Sequence, residues 1–377
     1  MMNRLVVISI LFFLISCSDK NEKPTFSSWY KANISAKSGE FDSTKIHTKT
    51  ISSELFKIDT IYRSMVGPTS DQIFKLADSG DLVWLVSYEV KVFDSTKTAQ
   101  LSQEFMCHNN LNLTKERQFP WLSDVFGYTN RIFTLTQGFT KLNLPEGFGI
   151  PFPSNQNFKT IFQALNHNKR EIETSLKHEV ILKYFLDSEI DFEMKALSQN
   201  TIWLVKQYSG PKGVYGEKPI VHETTSSNFV YHPSQQPVCG VDMLANNPIS
   251  SQDLYYDSYG RKFTGHWKVS PGKEFLRFKA SKMLNLKEDK MLYFATAHVH
   301  PYCEFLELRD LTADKSIFKS KMINFSSEIG LKKISAFTSS KGVELFKSHD
   351  YELISSYNNI GKDTLSAMSV LYLYWEY

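Results

Sequence analysis

Cysteine is scarce in this chain, with four in 377 residues: Cys17, Cys107, Cys239 and Cys303. Once Cys17 is set aside, the other three can close at most one bridge, which leaves one thiol over unless a metal takes it. An excess of one charge is also lacking. Lys and Arg total 43 against 40 Asp and Glu, the formal net charge is +3, and the basic residues are scattered. That balance excludes a nucleic-acid-binding reading. Helical signals are few, and there is neither a short internal repeat nor a low-complexity tract. The glycines of "GPKGVYG", from Gly210 to Gly216, do not follow a phosphate-loop pattern and read as a flexible connector. The apolar stretch at the N-terminus, Leu5 to Ile15, is too short to span a membrane comfortably.

What is present begins with that short run. Arg4, the apolar stretch and the closing Leu14, Ile15, Ser16 and Cys17 form a secretory signal whose end resembles the bacterial lipobox, in which the cysteine is lipidated and becomes the mature N-terminus. Residues 1–16 are then a signal peptide and 17–45 a lipidated tether. The polar "SDKNEKPTFSS" after Cys17 is similar to the surface-export signals of Bacteroidota lipoproteins. The expected location is the bacterial outer membrane or cell surface, with acyl chains at Cys17 as the membrane contact.

Aromatic residues are abundant (28 Phe, 18 Tyr, 6 Trp), and apolar residues recur with period two. "DLVWLVSYEVKVF", "RIFTLTQGFTKLNL", "HEVILKYFL" and "NTIWLVKQY" read as strands broken by Gly, Pro, Asn and Ser turns. The segment around Asn168 to Lys177 fits either a charged loop or a helix, and the loop is preferred. From Gly210 to Pro237 the pattern dissolves, then strands resume to the C-terminus. The expected fold class is all-β, with two successive sandwiches of antiparallel strands at 46–209 and 238–377, joined by a linker at 210–237.

Chemistry is concentrated in "FATAHVHPYCEF", from Phe294 to Phe305. On a strand His298 and His300 share a face, with Val299 turned to the other side, so the two imidazoles make a chelate that needs a third ligand. Met368 in "SAMSVLYLYW" begins an alternating strand, and its thioether is a soft donor that selects copper, particularly Cu(I). The C-terminal region, with "AHVHP" and then Met368, resembles the copper type II, ascorbate-dependent monooxygenases. That resemblance implies two tandem jelly-roll antiparallel β-sandwich domains and an oxygen-binding copper on His298, His300 and Met368, with Tyr372 assisting. It further implies an electron-transfer copper in the first domain, for which "EFMCHNNLNL" offers Cys107 and His108 and "FQALNHN" offers His167. Cys107 departs from the family's adjacent His-His pair. On a regular strand it would face away from His108, so the two could share a metal only where the backbone is irregular. Thr296 stands where the peptide-amidating members carry an arginine, which argues against a peptidylglycine substrate.

The function this implies is hydroxylation of a C–H bond with O2 and an external reductant such as ascorbate, on a small-molecule or peptide substrate. The alternative is a surface lipoprotein on the same fold that binds copper or a partner without turnover. Two other histidines, His266 and His349, read as residues that order a turn or sheet edge. A disulfide between Cys239 and Cys303 remains open, since both fall in the second domain.

Overall fold

Residues 25–64, 66–114, 119, 122, 130–218 and 254–377 are described by the structure, a computed structural model. The signal segment, the lipidation site at Cys17, Cys239 and most of the expected linker lie outside the described residues. The all-β expectation holds: strands dominate, and the two described α-helices, Phe26–Asn33 and Ser281–Leu284, are short.

A ten-stranded sheet forms the spine. Its central path runs His47–Ser52, Thr174–Leu186, Leu82–Asp94, Phe148–Pro153, Lys195–Trp203, Ser369–Glu376, Lys290–Val299 and Phe337–Leu345. The pairings along it are antiparallel except for a short parallel contact of Lys195 and Ala196 with Phe148 and Gly149. A four-stranded sheet contains Thr69–Phe74, Phe158–Ala164, Met106–Leu113 and Arg131–Thr136. A five-stranded one contains Gly272–Lys279, Tyr351–Asn359, Cys303–Asp310, Lys315–Asn324 and Leu331–Ile334. Strands from both halves of the chain meet in the spine.

Alternation along one strand shows how the spine serves two cores. On Ser369–Glu376, Val370, Tyr372 and Tyr374 join the core that includes Leu85, Tyr88, Leu111, Phe133 and Phe158. Leu371, Leu373 and Trp375 join the core of Leu306, Leu308, Tyr351 and Leu353. Period-two side chains make this possible, since each face of a doubly covered strand must be apolar. A third, smaller core of Trp84, Phe185, Phe192 and Met194 sits beneath residues 26–46, where Trp29, Tyr30, Ile34, Phe41 and Ile46 pack against it. The part of the expected tether that is described is thus docked: Phe26 is buried against Tyr377, with ring centroids 4.5 Å apart. Its aromatic residues supply apolar area that a solvated tether would leave in water.

Around Asn168 the loop reading is the right one. Strand Phe158–Ala164 ends, residues 165–173 form a connection held by Asn166, and strand Thr174–Leu186 follows.

Candidate functional site

His298 lies near the end of the Lys290–Val299 strand, and His300 just beyond it. Their ring centroids are 5.9 Å apart and the rings nearly perpendicular. Both are almost fully buried, at 3% and 4% exposure. Opposite them, Val370 pairs with His298, and Ser369 with Val299. Met368, just before Ser369, belongs to the same core as Val370, the residue paired with His298. Tyr372 is in that core as well, paired with Thr296. The buried Tyr357 hydroxyl donates to the Met368 carbonyl at 2.5 Å and accepts the His300 backbone N–H at 3.4 Å, linking the two residues directly.

The tautomer of His300 follows from its partner. Nδ1 is 3.1 Å from the Ser366 carbonyl oxygen, which can only accept, so Nδ1 carries the proton and Nε2 keeps its lone pair. Burial pushes the His300 pKa down to about 3, assisted by neighbouring His266. His298 is held well below the ordinary histidine range, first by burial and then by His300, His108 and Arg131. Neutral imidazoles with an oriented ring are the form in which histidine ligates metals.

Two further imidazoles extend the pair into a row. His108 lies 6.1 Å from His298, ring edge toward ring face, and His266 lies 6.1 Å from His300. His266 sits in the bend between strands Lys262–Thr264 and Trp267–Val269, its backbone hydrogen-bonded to the Thr264 hydroxyl, and the fold also brings its ring beside His300, a contact for which the sequence carries no signal. His349 likewise sits on an ordering contact, 2.6 Å from buried Asp310. His167 is near enough to His300 to help lower its pKa. Its Nε2 is 3.3 Å from the Ser64 hydroxyl, and burial together with nearby Arg63 lowers its pKa to about 4.

The expected electron-transfer centre is not assembled. The register of Met106–Leu113 against Phe158–Ala164 slips between Met106 and His108, so Cys107 does occupy an irregular point of the backbone. Even so, among the described residues no group of three or more His, Cys, Asp or Glu side chains converges to hold a metal ion, which leaves Cys107, His108 and His167 short of a centre. The set of His298, His300 and Met368 is of a different composition, two imidazoles with one thioether. The Cys239–Cys303 bridge left open by the sequence is not formed: Cys303 is a free, buried thiol, and Cys239 lies outside the described residues. Burial raises its pKa to about 12, and its Sγ donates to the Phe305 carbonyl at 3.5 Å.

Around the row the lining is polar to a degree the sequence did not announce. His108 pairs with Thr136 and Gln163, and Asn110 with Thr134, which puts His108, Asn110, Thr134, Thr136 and Gln163 on one buried face. Asn110 Nδ2 and Oδ1, Thr134 Oγ1, Gln163 Oε1 and Thr296 Oγ1 have no hydrogen-bond partner among the described residues. Such groups normally take ordered water or a polar ligand.

No protein-family model and no curated protein matches the chain. Among solved structures, similarity is found to a peptide-N(4)-(N-acetyl-β-D-glucosaminyl) asparagine amidase, at 10% identity over 88% of this chain and 96% of that one, TM-score 0.31. It is found also to a recombinant peptide:N-glycanase F, at 9% identity over 87% and 95%, TM-score 0.33. PNGase F, a glycosylasparaginase from Flavobacterium meningosepticum, gives 11% identity over 88% and 96%, TM-score 0.33. Likenesses at these TM-scores carry no argument about what this chain does. The resemblance drawn from the sequence is withdrawn, because neither a family model nor a curated protein links the chain to the copper monooxygenases. Assignment to that family is corrected, and with it the oxidoreductase reading and the C–H hydroxylation it implied.

Proposed function

We propose that this chain binds a soft monovalent metal ion, Cu(I), between His298, His300 and Met368, as a lipid-anchored protein outside the cytoplasm that retains the ion without turning over a substrate. The observation that supports the reading is the Tyr357 hydroxyl bridging the Met368 carbonyl and the His300 N–H, beside the buried His298–His300 pair. The residues fit the ion. Two imidazole nitrogens and a thioether are soft-leaning donors that favour Cu(I) over zinc or magnesium, and ascorbate or a similar external reductant would keep copper monovalent. The Ser366 carbonyl fixes the His300 ring with Nε2 unprotonated, and burial keeps both imidazoles neutral, so binding need not displace a proton from either near neutral pH.

The test is anaerobic titration of the purified, chelator-stripped protein with Cu(I) in competition with bicinchoninate. One ion per chain is expected. Met368→Leu conserves volume and should leave the fold intact while weakening Cu(I) retention, and His298→Ala should abolish it. A wild-type protein that takes up no Cu(I), or a Met368→Leu variant that holds it as tightly as the wild type, would refute the proposal.

A further inference from the structure

A cleft of about 520 Å³ opens on the surface between residues 60–64 with Val66 and the 166–170 loop, lined by Thr60, Ile61, Arg63, Val66 and Arg170. Its walls are fastened to one another. Buried Asn166 donates through Nδ2 to the Thr60 carbonyl and to the Lys169 carbonyl, both at 2.7 Å, and its backbone exchanges hydrogen bonds with Tyr62 at 2.8 and 3.1 Å. Gly67 closes the first wall onto strand Phe158–Ala164 so tightly that a Cβ there would stand 2.0 Å from the Ala164 carbonyl oxygen. The two arginines are thus presented by segments held at a fixed separation, not by wandering loops.

The charge pattern of the cleft is one-sided. Lys169, between the walls, is paired with Glu104 at 2.7 Å, and Asp59, beside Thr60, accepts from the Tyr62 hydroxyl at 2.6 Å. Arg63 and Arg170 are both exposed, and neither is paired with a carboxylate among the described residues. Two guanidinium forks, a threonine hydroxyl and the apolar side chains of Ile61 and Val66, the latter 70% exposed, form a complementary surface for a charged head on an apolar body. Guanidinium matches the planar, bidentate geometry of carboxylate and phosphate oxygens.

We infer that this cleft binds a small organic dianion, a phosphate ester or a dicarboxylate, with Arg63 and Arg170 clamping the charge and Val66 and Ile61 covering the body. The site goes beyond the metal reading and does not depend on it, since none of its lining residues is one of the three proposed ligands. Calorimetric titration of the full-length mature protein with phenyl phosphate and with phthalate tests it, with benzamide as the uncharged control. Saturable binding of at least one dianion and none of benzamide is expected, and the stronger ligand identifies which charged head the cleft prefers. Arg63→Ala and Arg170→Ala should each weaken binding by about tenfold or more, while Val66→Ser should weaken it by about threefold. Added salt should lower affinity, as for any exposed charge pairing. Failure of both dianions to bind, or binding that survives the double arginine substitution in a folded protein, would overturn the inference, whatever the outcome of the Cu(I) titration.

Discussion

Replacing Tyr357 with phenylalanine removes one oxygen atom from the centre of the second core and leaves the ring in place. The hydroxyl donates to the Met368 carbonyl at 2.5 Å and accepts the His300 N–H at 3.4 Å, and the residue is 1% exposed, so water cannot take over either role without entering the core. Leaving such groups without their partner costs about 1–3 kcal/mol, to be read as a lower urea midpoint at unchanged slope. The same hydroxyl fixes the backbone of two of the three proposed ligands, and removal of a group that orients ligands typically costs about 10–100-fold in metal affinity. The assay is therefore paired: urea unfolding of the metal-free variant, and Cu(I) competition on the folded variant. Loss in both supports the account. A variant that is destabilised yet keeps wild-type Cu(I) affinity would show that Tyr357 braces the fold only, and that Met368 and His300 do not act together on an ion.

Three other outcomes are expected. His178 is fully buried against Phe56, and burial lowers its pKa to about 4, with contact to the Phe105 backbone opposing. Because the unfolded chain binds that proton near the ordinary value of about 6.5, the stability this residue permits is complete above that pH and is lost as pH falls toward 4, by about 3 kcal/mol in all. His178→Phe should flatten that part of the pH–stability curve, and an unchanged slope would count against it. Asp257 and Arg261 form an ion pair whose side chains have no exposure, and the arginine also donates to the Val214 carbonyl at 2.7 Å. Asp257→Asn should destabilise by about 3–5 kcal/mol, because it strands a buried cation, and thermal melts would read it. Leu197, fully buried on the Lys195–Trp203 strand in the middle of the spine, should cost about 2–5 kcal/mol as alanine. Hydrogen exchange should then speed up both around Trp84 and around Trp375; acceleration at one alone would mean that the shared sheet does not couple the halves.

The fold class was legible because strands buried on both faces are apolar throughout and strands buried on one face alternate, and both patterns are written into "DLVWLVSYEVKVF" and "SAMSVLYLYW". Which sheet each strand joins was not. Nothing in "NTIWLVKQY" tells that Lys195–Trp203 will pair with the last strand of the chain, since register between distant segments depends on side chains contributed by both. The common face of His298 and His300 followed from period two alone. The approach of His108 and His266 did not, because those contacts are made by residues 190 and 34 positions away from their partners, His298 and His300. The resemblance to copper monooxygenases rested on residue order along the chain. Order is weak evidence, because His-x-His and a late methionine are short patterns that arise readily in aromatic, strand-rich sequences.

The alternation of the last strand also explains why the candidate site lies where it does. Its odd-numbered residues, Leu371, Leu373 and Trp375, fill one core and its even-numbered residues, Val370, Tyr372 and Tyr374, fill another, with Met368 continuing the even set. A slip of one residue against Lys290–Val299 would exchange these sets, turning tyrosine hydroxyls into an aliphatic core and the thioether out of the core of Val370. Two tightly packed cores therefore hold the register that keeps Met368 in the core of Val370, the partner of His298. The hydroxyl of Tyr374 strengthens that hold by donating to the Ile132 carbonyl at 2.8 Å, across to the four-stranded sheet that carries His108. The same constraint that makes the sheet stable thus sets the geometry of the site, and substitutions that loosen either core should reach the site through register before they reach it through contact.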